Sequence, residues 1–237
     1  MKKKQIVWIS IAGAAVVLGV LAAVFGPLIY RDLIVGPPVA APTVQVPSST
    51  STPGASTPAE QPADDLSGSW TLASGSFAGY RVDEVLNGTN VTVVGRTEKV
   101  TGSFTVDGLT LTAAEVTVDV ASIETDQAAR DNYFRNTAVN VSEFPTATFT
   151  LLEPVTAAAP PAGGEVQKVT VRGELSLNGV TKQLDAEVEA VISGSDGQVS
   201  GSVPITFADF GIEAPNLGFV SVESSGSIEF LLKIVPA

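Results

Sequence analysis

From about Gly68 to Pro236 the chain alternates apolar and polar residues with a period of two. Val169, Val171, Leu175 and Leu177 share one face of a strand, with Thr170, Arg172, Glu174 and Ser176 on the other. Leu184, Ala186, Val188, Ala190 and Ile192 repeat the pattern against Asp185, Glu187 and Glu189. Successive side chains of a strand point to opposite faces, so the pattern describes a sheet with one wet face and one apolar face. Helical periodicity is nearly absent. Turn signals at 86–90 (LNGTN), 106–108 (VDG), 178–180 (NGV) and 194–197 (GSDG) punctuate the alternation. The expected strands lie near 70–74, 78–85, 91–106, 109–120, 146–153, 167–178, 182–193, 199–207 and 220–235. Long strands joined by short hairpins favour a closed antiparallel barrel, which leaves no free edge; a sandwich is the alternative.

An eight-stranded barrel either fills its interior with side chains or keeps room for one small ligand. The inward residues here are mostly Val, Ala, Leu and Gly, which line a lumen less completely than aromatics would. On alternation alone a packed core ranks ahead of a cavity.

Upstream of the barrel the chain changes character twice. MKKK at the N-terminus is followed by an uncharged stretch from Ile6 to Tyr30, closed by Arg31. That length covers the roughly 20 residues a membrane-crossing helix needs, and it exceeds the 7–15 residues of a signal-peptide core. Three lysines before it place the N-terminus in the cytoplasm. From 31 to 67 Pro, Ser, Thr and Ala dominate; such a segment has too little to bury to offset its ordering entropy and is expected to be a disordered, solvated linker. The expected organisation is a basic cytoplasmic flank (1–5), a single transmembrane signal-anchor helix (6–30), the linker (31–67) and an extracytoplasmic barrel domain (68–237).

Composition narrows the function. The 237 residues include no cysteine and no histidine. Disulfides, thiolate nucleophiles and Cys-ligated metals are therefore excluded, as is an imidazole general base. The net charge of −12 argues against nucleic acid as a partner. Carboxylate chemistry survives in principle at Asp83 and Glu84 or at Glu124 and Asp126. Adjacent acidic residues of this kind more often make solvated surface, and no catalytic residue, metal ligand or cofactor is expected.

Three blocks of sequence carry a resemblance. SWTLASGSFAGYRVDEV followed by VVGRTEKVTGSF, then VTVDVASIETDQAARDNYFRNTAVNVSEFPTATF, then GELSLNGVTKQLDAEVE resemble, in order, the opening, central and third blocks of the YceI-like family. The resemblance covers 68–235. It implies an all-β, eight-stranded antiparallel lipocalin-like barrel with a short helical connection around an elongated apolar pore, and a long-chain, polyisoprenoid-type lipid as partner. It also implies pairing of barrels in some members. The sequence departs from the family where Tyr133 and Asn178 replace histidines and where TAVNV (137–141) replaces an aromatic-acidic run, so no imidazole role carries over.

With the resemblance in hand, Phe104, Tyr133, Phe134, Phe144, Phe149, Phe207, Phe210 and Phe219 are expected to line the cavity or its rim. RDNYFR (130–135) is expected to be a clasp holding the helical connection over one end of the barrel, with Asp131 and Arg135 able to pair at i, i+4; the alternative gives its arginines a lipid headgroup. The resulting expectation is a membrane-tethered lipid-binding protein. The alternatives are an envelope module without ligand and, last, a carboxylate enzyme.

Overall fold

The structure, a computed structural model, describes residues 38–45, 66–157, 164–193 and 195–237. The flank 1–5 and the expected transmembrane helix 6–30 lie outside the described residues, as does most of the linker. Among the described residues no helix is long and apolar enough to cross a membrane.

Twelve strand segments form one antiparallel sheet: β1 (Gly68–Leu72), β2 (Phe77–Leu86), β3 (Thr89–Thr97), β4 (Val100–Asp107), β5 (Thr110–Asp119), β6 (Thr146–Leu151), β7 (Val155–Thr156), β8 (Gln167–Leu177), β9 (Val180–Ser193), β10 (Asp196–Thr206), β11 (Val220–Val222) and β12 (Ser225–Pro236). Several are halves of one interrupted ribbon. β1 and β2 both pair with β12, β3 and β4 run along β2 and β1, β6 and β7 both pair with β5, and β11 continues β12 along β2. Merged in this way, the segments make eight ribbons. The β1–β12 pairing, Trp70 opposite Pro236, closes them into a barrel.

The expected single strand 91–106 is two segments, β3 and β4, with Glu98 and Lys99 between them. The Thr97 hydroxyl accepts the Lys99 N–H at 3.0 Å, so a side chain takes over a backbone donor and the ladder stops without a glycine. The hairpins are where the turn residues put them. Asn87 and Asn178 hold φ values of 50° and 52°, each followed by a left-handed glycine, the geometry that favours Asn-Gly in two-residue hairpins.

Between β5 and β6 the chain leaves the sheet and crosses one end of the barrel. A short 3₁₀ turn (Val120–Ser122) leads to helix α1 (Ala128–Tyr133), which widens into a π-helical turn over Phe134–Ala138. Val120, Ile123 and Val139 are buried there against Tyr80, Phe134 and Ile212. At the opposite end Trp70 and Phe104 pack with Leu232 and Leu66, and the Trp70 indole donates to the Leu66 carbonyl at 3.0 Å.

The described part of the linker, 38–45, is not freely solvated. Val44 is buried, Arg81 and Arg96 donate to the carbonyls of Val39 and Ala40 at 2.7 and 2.8 Å, and the Gln45 N–H reaches the Gln198 side chain at 3.2 Å. Both arginines also pair with Glu229, at 2.5 and 3.5 Å. This carboxylate points away from the lumen yet is only 1% exposed. The segment straps the barrel because it covers this ion pair and supplies one carbonyl acceptor to each guanidinium, although the buried Arg96 Nε is left without a partner.

Candidate functional site: an apolar lumen with a charged clasp

The two faces that alternation singled out on β8 and β9 both turn inward. Val169, Val171, Leu175 and Leu177 line one stretch of the interior, and Leu184, Ala186, Val188, Ala190 and Ile192 the next. They do not meet in the middle. A cavity of about 400 Å³ runs through the barrel, from Leu66, Trp70 and Leu111 at one end to Tyr80, Phe134 and Phe207 at the other. No charged side chain lines it; Tyr80, Thr148 and Gln167 bring the polar groups. Cavities with so few polar partners stay dry and accept apolar guests.

The hollow survives because its large rings are set against the wall. A methyl group built on Gly173 would stand 2.2 Å from the Phe149 ring, one on Gly201 2.6 Å from Phe230, and one on Gly95 2.6 Å from Tyr80. Each ring therefore occupies the space that a side chain on the neighbouring strand would fill. The aromatics thicken the wall instead of plugging the lumen. Strand glycines mark sites where another group approaches closely, and they are the signal by which these rings could have been found in the sequence.

Of the eight aromatics expected at the cavity, Phe104, Phe134, Phe149 and Phe207 line it. The other four do not. Phe144 folds over Gly179, whose added Cβ would meet its ring at 2.5 Å. Phe210 is buried beside a shallow cleft on the outer wall, Tyr133 lies half-buried on α1, and Phe219 is 59% exposed. Phe230 was missed by sequence reasoning and is a wall residue. Tyr80 was missed as well: it stacks on Phe134 with ring centroids 4.9 Å apart. Burial pushes its phenol far above the ordinary tyrosine range, and the nearby Arg130 guanidinium offsets this only in part.

The charged residues of RDNYFR have partners within the fold. Arg130 bridges α1 to the barrel through Glu84 at 2.9 Å and pairs with Asp126 at 2.6 Å. Glu84 is 6% exposed and follows Tyr80 and Val82 on the inward face of β2. Asp131 does not meet Arg135. It accepts from the backbone N–H and hydroxyl of Thr125 at 2.9 and 2.7 Å, holding the first turn of α1. Arg135 instead donates to the Ile123 carbonyl at 3.0 Å. The two residues fall where the α-turn gives way to the π-turn, and the altered winding removes the i, i+4 geometry. Among the described residues no group of carboxylates is arranged to hold a metal. Asp83 points outward to the Thr92 hydroxyl at 2.6 Å. It therefore does not share a face with Glu84.

The barrel is similar to solved structures. A polyisoprenoid binding domain from Saccharophagus degradans, implicated in plant cell wall breakdown, matches with a TM-score of 0.59 and 23% identity over 71% of this chain and 98% of that one. BcnA of Burkholderia cenocepacia matches with a TM-score of 0.52 and 21% identity, over 65% and 95%. At these identities the likeness is one of fold. By sequence, a UPF0312 protein of Shewanella baltica (strain OS185) is 35% identical over 130 residues, 51% of this chain and 64% of the relative. This chain thus spans less than two thirds of that relative's length. A UPF0312 protein of Pseudomonas aeruginosa (strain LESB58) is 34% identical over 149 residues, 59% of this chain and 71% of the relative. Residues 70–234 match the YceI-like domain from its first barrel strand to its last, and the chain belongs to that family.

Proposed function

We propose that this protein binds a long apolar chain of the polyisoprenoid type inside its barrel, while its N-terminal segment tethers it to the outer face of a membrane. The observation that carries the reading is the continuous lumen of about 400 Å³ without a charged lining residue. Transfer of hydrocarbon from water into such a space contributes about 0.8 kcal/mol per CH₂. A five-carbon isoprene unit is therefore worth roughly 4 kcal/mol before the entropic costs of binding. Affinity then scales with the length of chain enclosed and needs few polar contacts. The polyisoprenoid binding described for the Saccharophagus neighbour supports this choice of ligand class.

Tethering rests on the uncharged stretch 6–30 behind three lysines. It keeps the binding domain beside the only phase in which such a ligand dissolves. The decisive experiment is organic extraction of the full-length protein, purified in a mild detergent, followed by mass spectrometry. A stoichiometric long-chain lipid is expected, and it should be lost when Ala186→Phe places a ring in the lumen. An extract without lipid, from a protein that also fails to take up a fluorescent polyprenyl probe, would remove the reading.

A further inference from the structure

The barrel is longer on one side than on the other. β2 pairs with β12 up to Arg81–Ser227 and then continues to Leu86, flanked by β3 and by β11, which meets it at Val220–Leu86. This three-stranded flap overhangs the end that carries α1. On its inner face Val82, Val91 and Val93 pack against Phe207, a lumen residue, and the one charged group there, Glu84, is paired with Arg130. At its tip the Asn87 N–H donates to the Phe219 carbonyl at 2.8 Å. Beside that bond Leu217 and Phe219 stand 53% and 59% exposed, on either side of a left-handed Gly218. Exposed large apolar side chains are few among the described residues: these two, Val39 on the strap, and Leu152 toward the opposite end.

The strap gives the tip its orientation. It contacts Arg81 and Arg96 through Val39 and Ala40, and reaches Gln198, opposite Lys233 of β12, only at Gln45. It therefore runs from mid-barrel toward the Trp70 end, and its N-terminal end points to the flap. Seven residues, 31–37, connect it to the uncharged stretch 6–30; fully extended they reach about 25 Å at most. Along β2 the wall from Gly79, opposite Glu229, to Leu86, opposite Val220, measures roughly 23 Å at about 3.3 Å per strand residue. A membrane-inserted 6–30 therefore ends within about 25 Å of the strap, a distance that spans the wall up to the flap tip.

We propose that the flap tip, through Leu217 and Phe219, inserts into the lipid bilayer surface and that the strap sets the barrel with its α1 end toward that surface. The lumen then opens through the Phe207 side of the flap directly onto the lipid phase. The insertion is independent of what the lumen holds; the role as an exchange mouth rests on the lipid-binding reading. Glu213 and Glu223 flank the tip, so contact relies on apolar insertion into zwitterionic lipid and not on attraction to anionic headgroups.

The chain lacks cysteine, so single positions can be labelled in the full-length protein. Leu217→Cys, Phe219→Cys and Leu152→Cys, each carrying an environment-sensitive fluorophore, are reconstituted into phosphatidylcholine vesicles with and without nitroxide-labelled lipid. Quenching at 217 and 219 but not at 152 is expected. Equal quenching at all three positions, or none at 217 and 219, overturns the insertion. A Leu217→Ser/Phe219→Ser variant should take up a fluorescent polyprenyl probe from the host bilayer roughly tenfold more slowly, with the amount finally bound unchanged. Quenching without any retained probe supports insertion and counts against the cavity reading alone. Retained probe without quenching counts against insertion alone.

Discussion

Replacing Arg130 by methionine tests whether the clasp is structural. Arg130 and Glu84 lie 2.9 Å apart, and their side chains are 17% and 6% exposed. The substitution keeps an unbranched apolar stem but leaves the Glu84 carboxylate beside the lumen without its cation. Removing one partner of a buried pair costs about 3–5 kcal/mol, whereas an exposed pair is worth about 0–1 kcal/mol. Arg130 keeps its solvent-side contact with Asp126, so the pair lies nearer the buried limit without reaching it. A loss of about 2–3 kcal/mol follows, which for a domain of this size is a fall of roughly 4–12 °C in Tm. Glu84→Leu in the same background removes the stranded charge and should restore stability to within about 1 kcal/mol of the native protein. Urea and thermal unfolding followed by circular dichroism in the strand region measure all three variants. A single variant within about 1 kcal/mol of native, or a double variant no better than the single, would refute the clasp. Intact stability with lost lipid binding would instead make Arg130 a headgroup contact.

Other consequences are open to measurement. Ala186→Phe fills empty space and should change unfolding stability by less than about 1.5 kcal/mol while abolishing lipid recovery; a loss above 3 kcal/mol would mean that the interior is already packed. Gly79→Ala should cost about 3 kcal/mol or prevent folding, because its Cβ would stand 1.9 Å from the Gly95 carbonyl oxygen, and the expression level and Tm of the variant decide this. Tyr80 binds its proton more tightly in the folded state, since burial raises its pKa. Its contribution is thus complete below the ordinary tyrosine value of about 10 and lost as pH rises above it. Unfolding midpoints between pH 8 and 11 should therefore fall less steeply for Tyr80→Phe than for the native protein, and identical slopes would contradict the burial.

Strand alternation made most of the barrel legible, because every residue of β8 and β9 that it placed on the apolar face does turn inward. It failed where the sheet is interrupted without turn residues. The Thr97–Lys99 break depends on a side-chain hydrogen bond, and nothing in RTEKV distinguishes it from continuous strand. The aromatics divided for a related reason. Phe104 and Phe149 sit in regular strands, where parity fixes direction, whereas Phe144, Phe210 and Phe219 sit in connections, where parity means nothing. The clasp was visible as a concentration of charge, but its partners were not. Glu84 is 46 residues from Arg130, and pairing at i, i+4 was the only contact that local spacing could offer. The strap left no trace at all, because PVAAPTVQ has no periodicity; it docks by offering carbonyl groups, and every residue has one.

The lumen places a demand on the rest of the fold. At about 24 cal/mol per Å³ of void, 400 Å³ that no side chain fills corresponds to about 10 kcal/mol. That is comparable to the whole stability of an ordinary domain, about 5–15 kcal/mol. A barrel of this kind must recover stability in its wall. The pairing of strand glycines with rings does so, because Gly173 with Phe149 and Gly201 with Phe230 gain aromatic burial without narrowing the bore. Closure through Trp70 and Pro236 does so as well, since it leaves few backbone groups unpaired. The same arithmetic explains why no side chain has filled the hollow through a simple substitution such as glycine to leucine. Gly95, Gly173 and Gly201 are each already matched to a ring, so adding bulk there would displace an aromatic before it reached the void. The hollow is thus fixed by the packing of the wall, and a guest chain can relieve its cost without any wall residue moving.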